Sequence, residues 1–262
     1  MVVTPFTQPP LARRLLAELL GTALLVTVVV GSGIAAQQLS PGAVGLQLLE
    51  NSTATALGLT VLILMFGPVS GAHFNPVVSL ADWFLGRRTD QGLRLTEVGA
   101  YSAAQVVGAV AGCVLANAMF EVGTSISTKD RTSPGHLLAE VVATAFLVAL
   151  IFALARSDRG ALAAPAVGAY IGAAYWFTSS TSFANPAVTI GRIFTDTFAG
   201  IAPSSAPPFV VAQLVGLVVG TAVVLTLYPG VGTHADDVVI PHHADAPDAL
   251  TQTLSPNPGE LP

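Results

Sequence analysis

The hydrophobic residues of this chain gather into six long runs that are separated by short polar stretches. The runs lie at about 15–34, 47–66, 97–120, 136–155, 161–179 and 206–228. Each one reaches or approaches the roughly 20 residues that an α-helix needs to cross the hydrocarbon core of a bilayer. The pattern therefore predicts an all-α membrane protein with six transmembrane helices.

Two further segments have the pattern of half-helices. In GPVSGAHFNPVVSLADWFLG, Pro76 follows Asn75, and only about ten apolar residues precede Arg87, too few to cross a bilayer. Asparagine suits the position before a helix, and proline suits its first turn. SFANPAVTIGRIF repeats this chemistry. Each segment predicts a re-entrant loop followed by a short helix, and such irregular backbone must be covered by protein or water.

The two halves of the chain carry matched sequences in the same order. AELLGTALLV at 17–26 returns as AEVVATAFLV at 139–148, HFNPVV at 73–78 returns as FANPAV at 183–188, and AQVVGAVAG at 104–112 returns as AQLVGLVVG at 212–220. Each half then holds three spans and one motif, and because three is odd the second half enters the membrane from the opposite side. We expect one channel domain over 15–228, with repeats at 15–120 and 136–228.

Composition and charge agree with a membrane protein and predict its orientation. Hydrophobic residues make up 52% of the chain and charged residues 10%. With a cytoplasmic N-terminus (1–14), most basic residues face the cytoplasm, namely Arg13, Arg14, Arg87, Arg88, Arg94, Arg156 and Arg159, which leaves Lys129, Arg131 and Arg192 outside. We expect both termini in the cytoplasm, a plasma (inner) membrane location, and a disordered cytoplasmic tail over 229–262.

Two half-helices that meet N-terminus to N-terminus predict a pore at the middle of the membrane. Their partial positive charges oppose cations but not neutral solutes. Asparagine N–H groups and loop carbonyls suit a file of water or hydroxylated molecules. The residues expected at this midplane are Asn75, Pro76, Val77, Asn185, Pro186 and Ala187. For a single Asn-Pro pair, an ordinary helix cap would be an equal explanation.

Several polar residues fall within the apolar runs. Glu18 and Glu140 occupy matched positions and either form a proton or ion relay or accept hydrogen bonds from the unwound loops. The repeat favours the structural role, and the matched Gln105 and Gln213 should do similar work. His73 either lines the inner pore or is packed against its neighbours.

Residues 15–228 resemble the aquaporin and glycerol-facilitator family, also called the major intrinsic proteins. The residues that carry the resemblance are the AE and GT pairs of the first run, SGAHFNP, the AQ-to-Gly pattern of the third run, and FANPA. The resemblance implies six tilted helices and two half-helices per subunit, one pore per subunit, and usually a homotetramer. Its partners would be small neutral solutes, water and lipid, with no cofactor, metal or nucleic acid.

The chain departs from the family pattern at two positions. Val77 stands where alanine is usual, and Val188 stands where most members have an arginine that guards the outer constriction. Carried over by position, that filter would consist of Leu57, Ala173, Ser182 and Val188, with Thr55 or a neighbour as the alternative to Leu57. Such a filter keeps one hydroxyl and no charge, which favours bulkier uncharged solutes. It resembles a bacterial subset associated with arsenite.

Arg192 lies four residues after Val188 and should share its helix face. It either places a positive charge in the outer vestibule or anchors the helix end.

The expected function is a passive channel for trivalent metalloid acids such as arsenite, for glycerol-like polyols, or for both, with some water. The alternatives are a water-selective aquaporin, a gradient-coupled secondary transporter and a structural protein with a blocked pore. No phosphate loop or nucleophile motif is present in the sequence, so we expect no enzyme activity.

Overall fold

The computed structural model describes residues 9–87, 92–157 and 159–229, and these residues form an all-helical bundle. Its helices are α1 (Leu11–Leu39), α2 (Val44–Ser70), α3 (Pro76–Gly86), α4 (Leu95–Met119), α5 (Pro134–Arg156), α6 (Ala163–Phe177), α7 (Pro186–Gly191) and α8 (Ala206–Leu227). Six of them are long and apolar enough to cross a membrane, α6 together with the 3₁₀ turn before it. The six predicted spans are confirmed. Residues 1–8, Arg88 and the predicted tail beyond Pro229 lie outside the described residues.

Glycines let the long helices of each half cross at backbone contact. In the first half, a Cβ on Gly112 of α4 would lie 2.0 Å from the carbonyl oxygen of Ala23 in α1. In the second half, a Cβ on Gly220 of α8 would lie 2.4 Å from the carbonyl oxygen of Ala145 in α5. Small residues are typical of such crossings, because helices in lipid associate by close packing rather than by hydrophobic burial.

The two halves join through α2 and α6. A Cβ on Gly168 of α6 would lie 2.0 Å from the Thr60 hydroxyl, and one on Gly172 would lie 2.9 Å from the Ala56 Cβ. The same helices contribute side chains to the pore, so their close contact fixes the spacing of the pore wall.

The half-helices α3 and α7 begin at the two Asn-Pro motifs. Proline occupies the start of each helix, and the asparagine before it caps the helix with its side-chain oxygen. Asn75 accepts from the amide of Val77, and Asn185 accepts from the amides of Ala187 and Val188. The capped ends face each other inside the bundle, as the inverted repeat predicts.

Replacing Gly112 by alanine should destabilise the protein, because the new methyl group would overlap the Ala23 carbonyl and force α1 and α4 apart. We expect a loss of about 1–3 kcal/mol, seen as a lower unfolding temperature of the purified protein in detergent. Gly99, also in α4, is the matched control because a Cβ there meets nothing within 4 Å. Gly99→Ala should keep or raise that temperature. Equal effects of the two variants would contradict the close crossing.

Candidate pore and selectivity filter

The two Asn-Pro motifs are joined at the centre of the bundle by a reciprocal pair of hydrogen bonds. The Asn75 side-chain amide donates to the Ala184 carbonyl at 2.8 Å, and the Asn185 amide donates to the Phe74 carbonyl at 2.7 Å. Each amide nitrogen carries two hydrogens. Its second N–H has no acceptor among the described residues and remains available to a solute.

The loops that lead into α3 and α7 share an unusual backbone. Ala72 and Phe74 in the first loop have φ angles of 48° and 50°, and Ser182 and Ala184 in the second have 50° and 47°. For residues other than glycine this left-handed conformation costs roughly 1–2 kcal/mol each. The strain is matched in the two halves, and it persists because buried carboxylates hold both loops.

Glu18 holds the first loop from α1. Its carboxylate accepts from the amides of His73 at 3.0 Å and Phe74 at 2.7 Å, and from the Ser70 hydroxyl at 2.6 Å. Gln105 of α4 donates to it at 2.7 Å. The side chain is fully buried, and four donors surround its two oxygens, so the carboxylate satisfies loop amides that would otherwise be unpaired.

Glu140 does the same for the second loop from α5. Its carboxylate accepts from the amides of Phe183 at 2.9 Å and Ala184 at 2.8 Å, and from Gln213 of α8 at 2.7 Å. These contacts support the structural role that the repeat favours over an ion relay.

The two glutamines also reach the half-helices. Gln105 donates to the Ser79 hydroxyl at 3.1 Å, and Gln213 donates to the Thr189 hydroxyl at 3.0 Å. Sequence reasoning missed Ser79 and Thr189. The signal was present, because each lies four residues after its motif asparagine and both carry a hydroxyl.

A cavity runs through the bundle past both asparagines. One wall is formed by the loops, including Ala72, His73 and Phe74 on one side of the junction and Ser182, Phe183 and Ala184 on the other. The facing wall is apolar and comes from the long helices, which contribute Leu25, Val29, Leu59, Ile63, Leu147, Ile151, Val167 and Ile171. A solute in this cavity therefore meets hydrogen-bonding groups on one side and hydrocarbon on the other.

The cavity contacts only some of the residues predicted at the midplane and filter. Asn75, Asn185, Ser182 and Val188 lie on its lining. Val77 and Ala187 are fully buried in the hydrophobic core instead, and with the two prolines they support the junction from behind. Val77 therefore acts on the pore through packing.

Two predicted filter residues do not face the cavity. Leu57 is 65% exposed on the outer surface of α2, and Ala173 is also exposed on α6. Thr55 and Tyr175 line the cavity in their place, and their hydroxyl oxygens lie 3.2 Å apart. Thr55 and Tyr175 each lie two residues away from the predicted filter position on the same helix. Two residues correspond to a rotation of about 200° around the helix axis, which places a side chain on the opposite face.

His73 and Arg192 both lie on the cavity lining. His73 is held by a 3.0 Å hydrogen bond between its Nδ1 and the Ser79 hydroxyl, with its ring 5.5 Å from that of Tyr101. Among the described residues no group of three or more His, Cys, Asp or Glu side chains could hold a metal ion.

At the end of the cavity near Arg192, the loop after α7 is held by hydrogen bonds to the segment that precedes α5. The amide of Ser127 donates to the Ile193 carbonyl at 2.8 Å, and the amide of Ala202 donates to the Lys129 carbonyl at 2.7 Å. A hydrogen bond from the Thr128 amide lowers the pKa of the exposed Asp196 carboxyl below its ordinary value. The segment that follows Arg192 is thus held at Ile193, Asp196 and Ala202.

Replacing Glu140 by glutamine should loosen the second loop, because an amide NH₂ group would then face an N–H donor. We expect a loss of about 1–3 kcal/mol, measured as a lower unfolding temperature, together with reduced water flux in proteoliposomes. Glu50→Gln is the control, since the Glu50 carboxylate accepts from the Ser40 hydroxyl rather than from a re-entrant loop. If both variants behave alike, the loop does not depend on the carboxylate.

Comparisons with known proteins agree with this architecture. The family model described as "Major intrinsic protein" matches residues 6–184. The Aquaglyceroporin AqpS of Rhizobium meliloti is 50% identical over 213 residues, which cover 81% of this chain and 88% of that protein. The Glycerol uptake facilitator protein of Pseudomonas aeruginosa is 31% identical over 227 residues, covering 77% and 80%.

A solved structure shows the same fold. The X-ray structure of the aquaglyceroporin from Plasmodium falciparum superposes with a TM-score of 0.60 at 21% identity and covers 84% of this chain and 96% of that one. The family match covers most of the chain. It agrees with the inverted repeat, the paired half-helices and the cavity that passes both asparagines. The chain belongs to the major intrinsic protein family and is an integral membrane protein.

Proposed function

We propose that this protein is a passive channel for small uncharged solutes larger than water, namely glycerol-like polyols and trivalent metalloid acids such as arsenite, with some water. The observation that carries the proposal is the lining of the cavity, where Val188 takes the place of the family's filter arginine. Relatives that are named as an aquaglyceroporin and a glycerol uptake facilitator support the polyol part.

The two walls of the cavity suit a hydroxylated solute with a compact body. Loop carbonyls and the free N–H groups of Asn75 and Asn185 exchange hydrogen bonds with its hydroxyl groups. The apolar wall contacts the carbon skeleton of a polyol, which water lacks. Such complementarity between lining groups and solute, together with the width of the pore, sets selectivity in channels of this kind.

We propose that the filter consists of Thr55, Tyr175, Ser182 and Val188, which all line the cavity. Three of these residues carry hydroxyls, and none carries a charge. The Ser182 hydroxyl oxygen has no hydrogen-bond partner among the described residues and Ser182 lines the cavity, so we propose that this hydroxyl turns to bond a solute in the filter. Trihydroxy metalloid acids are neutral and present three hydroxyl groups around one central atom, which fits the same set of partners.

The proposal includes the setting of the channel. We place the protein in the plasma (inner) membrane with both termini in the cytoplasm. The end of the bundle where α1 begins carries Arg13, Arg14, Arg87, Arg94, Arg156 and Arg159, and the other end carries Lys129, Arg131 and Arg192. An excess of basic residues marks the cytoplasmic side. We also propose a homotetramer with one pore per subunit.

Substituting arginine at Val188 should convert the channel toward water selectivity. The guanidinium would narrow the filter and add a fixed charge. We expect glycerol and arsenite permeability to fall by about tenfold or more while water permeability changes far less. The measurement is stopped-flow light scattering of proteoliposomes with water, glycerol and urea, with uptake assays for arsenite.

Val188→Leu is the matched control because it adds bulk without charge or hydrogen-bond donors. It should lower all permeabilities modestly and leave the order of solutes unchanged. An arginine variant that keeps the wild-type order of solutes would show that Val188 does not form the filter.

A further inference from the structure

Arg192 is a charged residue on the pore lining that the filter assignment leaves without a role. It follows α7 directly and lies one helical turn beyond Val188. Its side chain is only 3% exposed, and it contributes to the same cavity as Val188 and Ser182. A guanidinium stays protonated at any physiological pH. The pore therefore carries a fixed positive charge one turn away from the position where the family resemblance places one.

The guanidinium of Arg192 is held in place by its surroundings. Its Nε donates to the carbonyl of Ala199, and its Cζ lies 3.6 Å from the centre of the Phe183 ring. That ring is itself fixed, because it makes an edge contact with Phe209 at 5.3 Å and the Phe183 amide is bonded to Glu140. The ring contact and the hydrogen bond already restrict the guanidinium, so it loses little further conformational freedom when a solute passes.

The buried carboxylate of Glu140 acts on the Arg192 guanidinium electrostatically, but its hydrogen bonds go to the second re-entrant loop. Within the described ranges no Asp or Glu forms a salt bridge with it. A second cation, Arg131, lies 5.2 Å from the centre of the same Phe183 ring. Arg131 does not line the cavity, so Arg192 is the charge of this pair that a solute in the pore meets directly, and its field is strong because the surroundings are less polar than water.

We propose that Arg192 excludes cations at the mouth of this channel, in addition to the half-helix N-termini at the midplane and in place of an arginine at the position of Val188. The inference rests on the proposed function, since it assumes an open pore. Moving the charge one turn toward the mouth separates two tasks that one arginine usually combines. Arg192 repels cations at the entrance, while Val188 leaves the filter wide and uncharged for bulky neutral solutes.

The test compares potassium flux with glycerol flux in proteoliposomes that contain the full-length protein. Arg192→Gln removes the charge but keeps an amide N–H for the Ala199 carbonyl. We expect potassium permeability, followed with a potential-sensitive dye, to rise by about tenfold or more. Glycerol permeability should stay within about twofold of wild type, because the filter at Val188 is unchanged. Arg192→Lys keeps the charge and should exclude potassium.

Two further variants separate charge from structure. Arg131 donates to the carbonyls of Gly200 at 2.8 Å and Phe198 at 3.1 Å, so it braces the same loop, yet it does not line the cavity. Arg131→Gln should therefore leave potassium exclusion intact. The double variant V188R/R192Q returns a charge to the filter and should restore exclusion of potassium while lowering glycerol flux.

Unchanged potassium exclusion in an Arg192→Gln channel that still passes glycerol would overturn the proposal. An equal leak in the Arg131→Gln and Arg192→Gln channels would also overturn it, because loop integrity and not the pore charge would then be responsible. If the Arg192→Gln protein does not insert into the membrane, Arg192→Met serves as the uncharged variant, because methionine keeps an apolar chain over Phe183. Failure of the wild type to pass glycerol would instead contradict the proposed function.

Discussion

The structure depends on one constraint: every backbone amide that is buried at the middle of the membrane must have a hydrogen-bond acceptor. Two loops with left-handed residues leave helical geometry at that depth, where water is scarce and an unpaired amide is costly. Glu18 and Glu140 meet the need by accepting two loop amides each. On the side that faces the pore, Asn75 and Asn185 join the two loops, because each side-chain amide donates to a carbonyl of the opposite loop. An open path through the bundle is possible because these side chains supply the hydrogen-bond partners that the loop backbone would otherwise find in a continuous helix.

The same arrangement explains how the pore has two unlike walls. The loop amides point away from the cavity toward the carboxylates, so the loops present carbonyls and asparagine N–H groups to the solute. The long helices supply hydrocarbon on the facing side. Close glycine contacts between α2 and α6 fix the spacing of the helices within the apolar wall, and the uncharged Val188 lies on the cavity lining. Selectivity then follows from a rigid scaffold with a few polar groups at defined places.

Much of the fold could be predicted from the sequence because its signals are long and repeated. Six apolar runs, two Asn-Pro motifs and matched glutamates indicate the helices, the half-helices and the supports of the loops. The filter could not be placed as well, since a position-by-position transfer from a family pattern does not establish which face of α2 and α6 meets the pore. Leu57 and Ala173 were each two residues away from Thr55 and Tyr175. Val167, Ile171 and Tyr175 recur at every fourth position of α6 and all line the cavity, so this periodicity is the better signal. The burial of Arg192 against Phe183 depends on the loop to Ala199, whose path no local pattern predicts.

We propose above all that the chain forms a passive pore for solutes larger than water. The most direct test is glycerol entry into proteoliposomes that contain the wild-type protein, measured by stopped-flow with and without imposed proton and sodium gradients. A passive pore should admit glycerol far faster than empty vesicles do, at a rate set by the glycerol gradient alone. Water permeation with glycerol excluded, or glycerol entry that follows the proton or sodium gradient, would contradict it.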